Sequence, residues 1–344
     1  MLTVEPTEGN KTITKNSNSL SDFSQSGNPL PWRDRKLQSL AVAETSLLSC
    51  SLLHVGKIIN GCGTYLSFKS CPSGHGKKLH LANFCRNRMC ILCSWRRSLV
   101  IYHQVLAIVH RAKEIYKTDV PLMLTLTVPN CQKEDLKETV SSMSEAFNRM
   151  FSRPAIKKSV RGWFRALEVT YNKDSGTFHP HYHVLLMVPA NYFQKKYDLY
   201  IDRDDWLKYW QEAMRDESIS QVDIRKIKKK GNKNQSVESL VGEVAKYATK
   251  PGSYISRDGK KYKANRDAVE NLYLGLKGKR LYGYGGIFKE IRKELKQEDV
   301  ENADLVHIDG TDASPCGCKV CGSALLEELY TWRPGLSNYI FTPA

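Results

Sequence analysis

His179-Pro180-His181-Tyr182-His183 sets three imidazoles at alternate positions ahead of the apolar run Val184 to Val188. On an extended strand alternate side chains share a face. His181 and His183 therefore project to one side, about 7 Å apart along the chain, and Tyr182 projects to the other. Two imidazoles converging from one face can hold a divalent cation. Glu168 falls close to the same register across a hairpin turn centred near residue 175. Its carboxylate completes a mixed His/Glu set suited to Mg²⁺ or Mn²⁺ bound to phosphate oxygens. His179 fits the alternation as a further ligand. The bland alternative is a row of polar residues on the wet face of a sheet.

A second constellation lies in Ser239–Lys250. Helical spacing places Glu243, Lys246, Tyr247 and Lys250 on one face, with Leu240, Val241, Val244 and Ala248 opposite. Beside two lysines a phenol is favoured as phenolate, so Tyr247 is arranged as a nucleophile toward phosphate. Glu243, one turn away, can act as general base for the phenol or for a water. The plain alternative is an exposed helix face with a Glu–Lys pair and a rim tyrosine. Tyr254 is a rival nucleophile.

Ten cysteines make a third set. Cys85-x4-Cys90-x2-Cys93 is half of a zinc site, to be completed by Cys62 or Cys71, or by His75 or His80. Arg86, Arg88, Arg96 and Arg97 interleave with it, which suggests a zinc-ordered loop offering arginines to phosphates. Unmetallated buried thiols are the alternative. Cys316, Cys318 and Cys321 form a tight knuckle, either a second zinc site or a partner of the first group. Cys50 and Cys131 read as buried small residues.

The elements that must position these residues are legible in outline. Residues 1–45 read as a flexible N-terminal segment, 46–118 as a Cys-rich zinc module with a linking helix over 97–117, 119–300 as the catalytic domain, and 301–344 as a separate acidic C-terminal segment. Strands are expected at 122–128, 163–171, 178–188 and 221–227, and amphipathic helices at 133–151, 203–215 and 237–250, the last stopped by Pro251-Gly252. The order β-α-β-β-α-β-α predicts an α+β domain, with a largely antiparallel sheet and helices on one face.

The chain has 344 residues, 52 Lys+Arg against 36 Asp+Glu and a net charge of +16. Its 41% hydrophobic and 26% charged content fits a soluble globular protein and excludes a fibrous or wholly disordered one. No apolar run is long enough for a membrane span, and the polar N-terminus lacks a signal core, so a cytoplasmic protein without membrane partners is expected. The surplus falls in two patches of +10, at 46–118 and 221–280. The second includes Arg225, Lys226, Lys228, Lys229 and Lys230, candidate DNA contacts.

Three motifs then stand in order: LTLTVPN at 124–130, FHPHYHVLL at 178–186 and EVAKYATKPGSY at 243–254. With flanking sequence at 84–98 and 276–290, the chain resembles the rolling-circle plasmid replication initiators of the HUH endonuclease superfamily over about residues 60–290. The resemblance implies a Tyr-dependent nicking and joining enzyme, built on an RRM/ferredoxin-like sheet with the His pair on a central strand. It assigns metal binding to His181 and His183, nucleophilic attack to Tyr247, and activation of water in termination to Glu243. His179 also matches. The family often has an acidic residue before the second tyrosine, where Ser253 stands here. The expected partner is origin DNA, single-stranded or extruded as a hairpin, with host helicase and polymerase to follow. An HUH transposase would share this chemistry. A histidine-triad nucleotide hydrolase fits residues 179–186 but gives Tyr247 no role, and a zinc-dependent DNA-binding regulator would do no chemistry.

Overall fold

The alternating run at 122–127 builds the strand Val120–Thr127, buried along most of its length between two neighbours. A five-stranded sheet results, in the order Tyr282–Gly286, Gly162–Tyr171, Phe178–Val188, Val120–Thr127, Val222–Lys226, with every adjacent pair antiparallel. The histidine strand Phe178–Val188 is its middle member. The hairpin joining it to Gly162–Tyr171 turns at 172–177, where the Asn172 side chain accepts from the Asp174 and Ser175 amides and Gly176 takes a left-handed conformation. The computed structural model describes residues 18–22, 30–226, 236–245, 249–259, 261–308 and 317–343, with the backbone alone of 229–230 and 233–234.

The α+β class with an antiparallel sheet is as expected, but helices cover both faces of the sheet. On the Tyr182 face lie Leu136–Phe151 and Arg203–Met214: Phe147 meets Tyr182 edge-on at 5.5 Å between ring centroids, and Phe151 lies 6.2 Å from Trp206. On the histidine face Ile287–Glu294 packs so closely that a Cβ at Gly162 would stand 2.8 Å from Ile287. Ile91–Ile115 packs on Ile287–Glu294, and Val237–Val244 packs on both Ile91–Ile115 and the histidine strand. A central strand whose outer half reads Val-Leu-Leu-Met-Val is apolar on both sides and needs cover on both.

The edge strand Tyr282–Gly286 had no strand-like signal, because three of its five residues are glycine. Those glycines make room: a Cβ at Gly285 would fall 2.2 Å from the Trp163 ring. The predicted helix 237–250 is shorter than its pattern. It ends at Val244, and Thr249 bridges Val169 of the neighbouring strand. Lys250 is extended, as a residue before proline prefers. Residues 246–248 lie outside the described set.

Two expected boundaries are revised. Trp32–Leu47 is helical rather than a flexible lead-in, and Trp32 packs edge-on against Phe68 and Trp95. The C-terminal residues do not stand apart. Leu326–Arg333 pairs with Tyr65–Ser70, giving a four-stranded sheet in the order Asn338–Thr342, Leu326–Arg333, Tyr65–Ser70, Lys77–Ala82. An exposed edge on Tyr65–Ser70 would otherwise be left unpaired. Among the described residues no helix is long and apolar enough to cross a membrane.

Candidate metal and nucleotidyl-transfer site

Register places the histidine site. Glu168 pairs with His181 and Ala166 with His183, so the carboxylate and both imidazoles share one sheet face. His183 Nε2 lies 3.2 Å and His181 Nε2 3.7 Å from Glu168 Oε2, with all three side chains largely buried. His181 Nδ1 sits 3.2 Å from the His179 main-chain oxygen. With an ion bound, donation of its N–H to that carbonyl would free Nε2 as the ligand atom, the tautomer that a metal ligand needs. Burial pushes the Glu168 carboxyl up, yet its hydrogen bonds and charge interaction with His181 and His183 outweigh this and hold it well below the usual carboxylate range. Three donor atoms of this chemistry converging within 4.8 Å fit a small divalent cation. His179 stacks on His181 at 5.3 Å between rings and stands outside this set of three.

The second constellation approaches the same face. Thr125 pairs with both His183 and Asp223, and Met123 with Leu185 and Arg225, so Asp223 and Arg225 are on the histidine side of the sheet. Arg225 binds Asp223 at 2.5 Å and Glu243 at 3.5 Å, which ties the end of Val237–Val244 to the sheet. Beyond residues 246–248 the chain returns at Thr249 beside Val169, next to Glu168. Lys246 and Tyr247 lie outside the described residues, and a single helical face from Glu243 to Lys250 is not formed. Tyr254 is buried with its hydroxyl 3.2 Å from Thr249 Oγ1, a core position rather than a nucleophile's.

The cysteines separate into two groups. Cys62, not Cys71, completes the set of Cys85, Cys90 and Cys93, with Sγ–Sγ separations of 3.4 Å (Cys62–Cys93), 3.5 Å (Cys62–Cys90) and 3.7 Å (Cys85–Cys93). Tetrahedral zinc with bonds of about 2.3 Å sets its sulfurs about 3.8 Å apart, so these thiols fit zinc. Cys71 instead joins His75, Cys318 and Cys321. His80 belongs to neither group, and Cys316 is outside the described residues. Cys50 is exposed and Cys131 half-buried, against the expectation of buried thiols.

Most of the interleaved arginines are engaged within the fold. Arg96 is buried, donates to the Leu305 and Val306 carbonyls, and stacks on Trp32 and Trp95. Arg97 is buried and donates to the Arg86 carbonyl. Arg88 donates to the Leu276 and Lys279 carbonyls and pairs with Glu301 at 3.0 Å. Guanidinium groups turned inward onto main-chain oxygens do not present a phosphate-binding fork at the surface. Arg86 is exposed, with one bond of 3.3 Å to the Asn302 carbonyl. Lys226 is exposed over the Phe193 ring. Lys228 lies outside the described residues, and Lys229 and Lys230 are described by backbone only.

Sequence reasoning also missed Lys36, which lies in the supposed lead-in. Its Nζ is fully buried and donates to the main-chain oxygens of Asn60 and Cys62, beside the four-cysteine set. A basic residue on an apolar helix face was the available signal.

The family model described as "Replication protein" matches residues 76–340. A "Protein rep" of Streptococcus pneumoniae serotype 2 is 37% identical over 302 residues, covering 88% of this chain and 91% of that protein. A "Protein rep" of Bacillus amyloliquefaciens is 36% identical over 338 residues, covering 93% of this chain and 96% of that protein. A "Replication protein" of Staphylococcus aureus is 36% identical over 189 residues, covering 55% of this chain and 79% of its own. No solved structure matches the chain at a significant level.

Proposed function

The chain belongs to the replication protein family of plasmid replication initiators, and from that premise we propose that it starts rolling-circle replication by nicking one strand of origin DNA. The observation that carries this is the convergence of Glu168, His181 and His183 on one face of the sheet, with Glu243 tied to that face through Arg225 and Thr249 bridging the edge of the Glu168 strand. In this reading the five-stranded sheet is an HUH nicking domain of RRM/ferredoxin-like type. Glu168, His181 and His183 hold Mg²⁺ or Mn²⁺, with His179 behind them. The ion supplies polarisation of the scissile phosphate when bound.

Tyr247 is the nucleophile. Two peptide units separate it from Thr249, a Cα–Cα reach of at most about 7 Å. Its phenolate oxygen attacks the phosphorus in line, the P–O3′ bond breaks, and the 3′-oxygen leaves as a hydroxyl that primes synthesis. The 5′-phosphate stays on the tyrosine. Glu243 accepts the phenol proton, or later that of a water which releases the enzyme. Lys246 and Lys250 offset phosphate charge. Arg225, Lys226, Lys228, Lys229 and Lys230 track the backbone of a single-stranded or extruded site. Host helicase and polymerase then extend the free end in the cytoplasm.

Cys62, Cys85, Cys90 and Cys93 hold a structural Zn²⁺ in this proposal. Zinc with four thiolates carries a net charge of −2, and the buried Lys36 ammonium offsets half of it.

The test uses supercoiled plasmid bearing the cognate origin, with Mn²⁺ or Mg²⁺ and with EDTA. Metal-dependent nicking with a protein-linked 5′ end is expected, and mass spectrometry should place the link on Tyr247. A Tyr247→Phe chain that still forms the covalent adduct overturns the assignment. The absence of any nicking by folded, metal-loaded protein favours a DNA-binding regulator instead.

A further inference from the structure

The strand Tyr65–Ser70 has a cluster of metal-ligand residues beyond each of its ends. Cys62 precedes it, in the four-cysteine set, and Cys71 follows it directly. Because Tyr65–Ser70 runs antiparallel to Leu326–Arg333, with Ser70 opposite Leu326, the residues just before Leu326 lie beside Cys71. Two short knuckles meet there from positions 250 residues apart.

Each knuckle is shaped by its own backbone. In the first, the Gly74 amide donates to the Cys71 carbonyl and the Cys71 amide to that of Gly76, turning His75 back toward Cys71. In the second, the Cys318 amide donates to Ser323 and the Gly322 amide to Cys318, with Gly322 in the left-handed region that the turn requires. Cys71 Sγ is then 3.5 Å from His75 Nδ1 and 3.5 Å from Cys321 Sγ, and Cys318 Sγ is 3.8 Å from His75 Nδ1.

We propose that Cys71, His75, Cys318 and Cys321 bind a second structural zinc ion, separate from that of the Cys62 set, which fastens the C-terminal strands to the Cys-rich module. Tetrahedral zinc with Zn–S of about 2.3 Å and Zn–N of about 2.05 Å sets its donors about 3.6–3.8 Å apart, within about 0.3 Å of the spacings found. A disulfide between Cys71 and Cys321 requires sulfurs about 2.05 Å apart. On binding, three thiols give up their protons and His75 contributes a neutral Nδ1, leaving a net charge of −1 on the complex. Lys69, Lys78 and Lys319 line the same recess and suit that charge. Closing a loop of this length gives the ion a large entropic effect on the unfolded chain.

The full-length protein, purified under reducing conditions without chelator, is expected to carry about two zinc ions per chain by elemental mass spectrometry. Cys318→Ser with Cys321→Ser should carry about one and keep its nicking metal dependence. His75→Cys preserves four ligands, so it should keep both ions. In the cobalt-substituted protein it should move the d–d bands toward those of an all-thiolate site. The proposal fails if wild-type and Cys318→Ser/Cys321→Ser proteins hold the same amount of zinc. It fails also if His75→Cys leaves the cobalt spectrum unchanged, or if peptide mapping of the purified protein finds a Cys71–Cys321 disulfide. Nicking activity tests the histidine site independently, so the two readings can fail separately.

Discussion

Lys36 aims its ammonium at Cys62, with Nζ 2.5 Å from the Cys62 main-chain oxygen at a position closed to solvent. Burial pulls its pKa down, and the surrounding Cys62, Cys90, Cys85 and Cys93 sulfurs oppose that pull. An ammonium in the interior is tolerable where it is hydrogen-bonded and faces negative charge.

Lys36→Met should therefore destabilise the zinc-loaded chain by about 2 kcal/mol and the metal-stripped chain by less. Thermal unfolding of both forms, together with zinc release to a chromogenic chelator, checks this. Equal losses in the two forms would show that Lys36 serves packing and not the charge of the sulfur set.

Glu168→Gln keeps the shape of the histidine site and removes its only charge within the set. Mn²⁺ affinity is expected to fall about 10- to 100-fold, with nicking falling in step at limiting metal. Calorimetric Mn²⁺ titration and a nicking assay across metal concentrations read the two quantities. An unaltered metal dependence would remove Glu168 from the ligands.

Arg96→Ala should cost about 3 kcal/mol of stability, since two main-chain carbonyls lose a charged donor in the interior. DNA binding by the folded variant should keep the wild-type salt dependence. A salt slope reduced by about 1 would return Arg96 to the phosphate contacts.

Glu328 supplies a pH signature. Burial raises its carboxyl, but bonds from Lys77, Ser70 and Tyr330 and the Lys77 charge outweigh burial and hold it below its ordinary value of 4.5. The Lys77 bond is 2.6 Å long. A depressed folded-state pKa contributes stability that is present above the unfolded value and lost as pH falls through the folded one. The deficit of Glu328→Gln relative to wild type should accordingly be full near pH 7 and shrink below pH 4.5. Urea unfolding at both pH values measures it, and a deficit constant with pH contradicts the ion pair.

The sequence made the histidine strand legible because period-two alternation and a polar turn are local signals. Glu168 close to the register of His181 and His183, and a strand over 122–128, both followed from that reading. What could not be read depends on distant chain paths. The choice of Cys62 over Cys71 is made by a sheet whose second strand comes from residues 326–333. Arg96 and Arg97 looked like DNA contacts because a charged side chain in a basic stretch gives no local sign that it meets carbonyls elsewhere in the fold. The helical pattern does not reach Thr249, which bridges Val169, or Lys250, which Pro251 holds extended.

The pairing of Tyr65–Ser70 with Leu326–Arg333 also sets an order of assembly during translation. The ribosome delivers the first strand long before its partner, so the Cys-rich module is begun before the five-stranded sheet emerges and completed after it. A nascent chain halted before Leu326 holds that strand with an open edge, poorly protected against proteases and misassociation. Only a polypeptide translated through Leu326–Arg333 completes that pairing, after every strand of the five-stranded sheet has emerged.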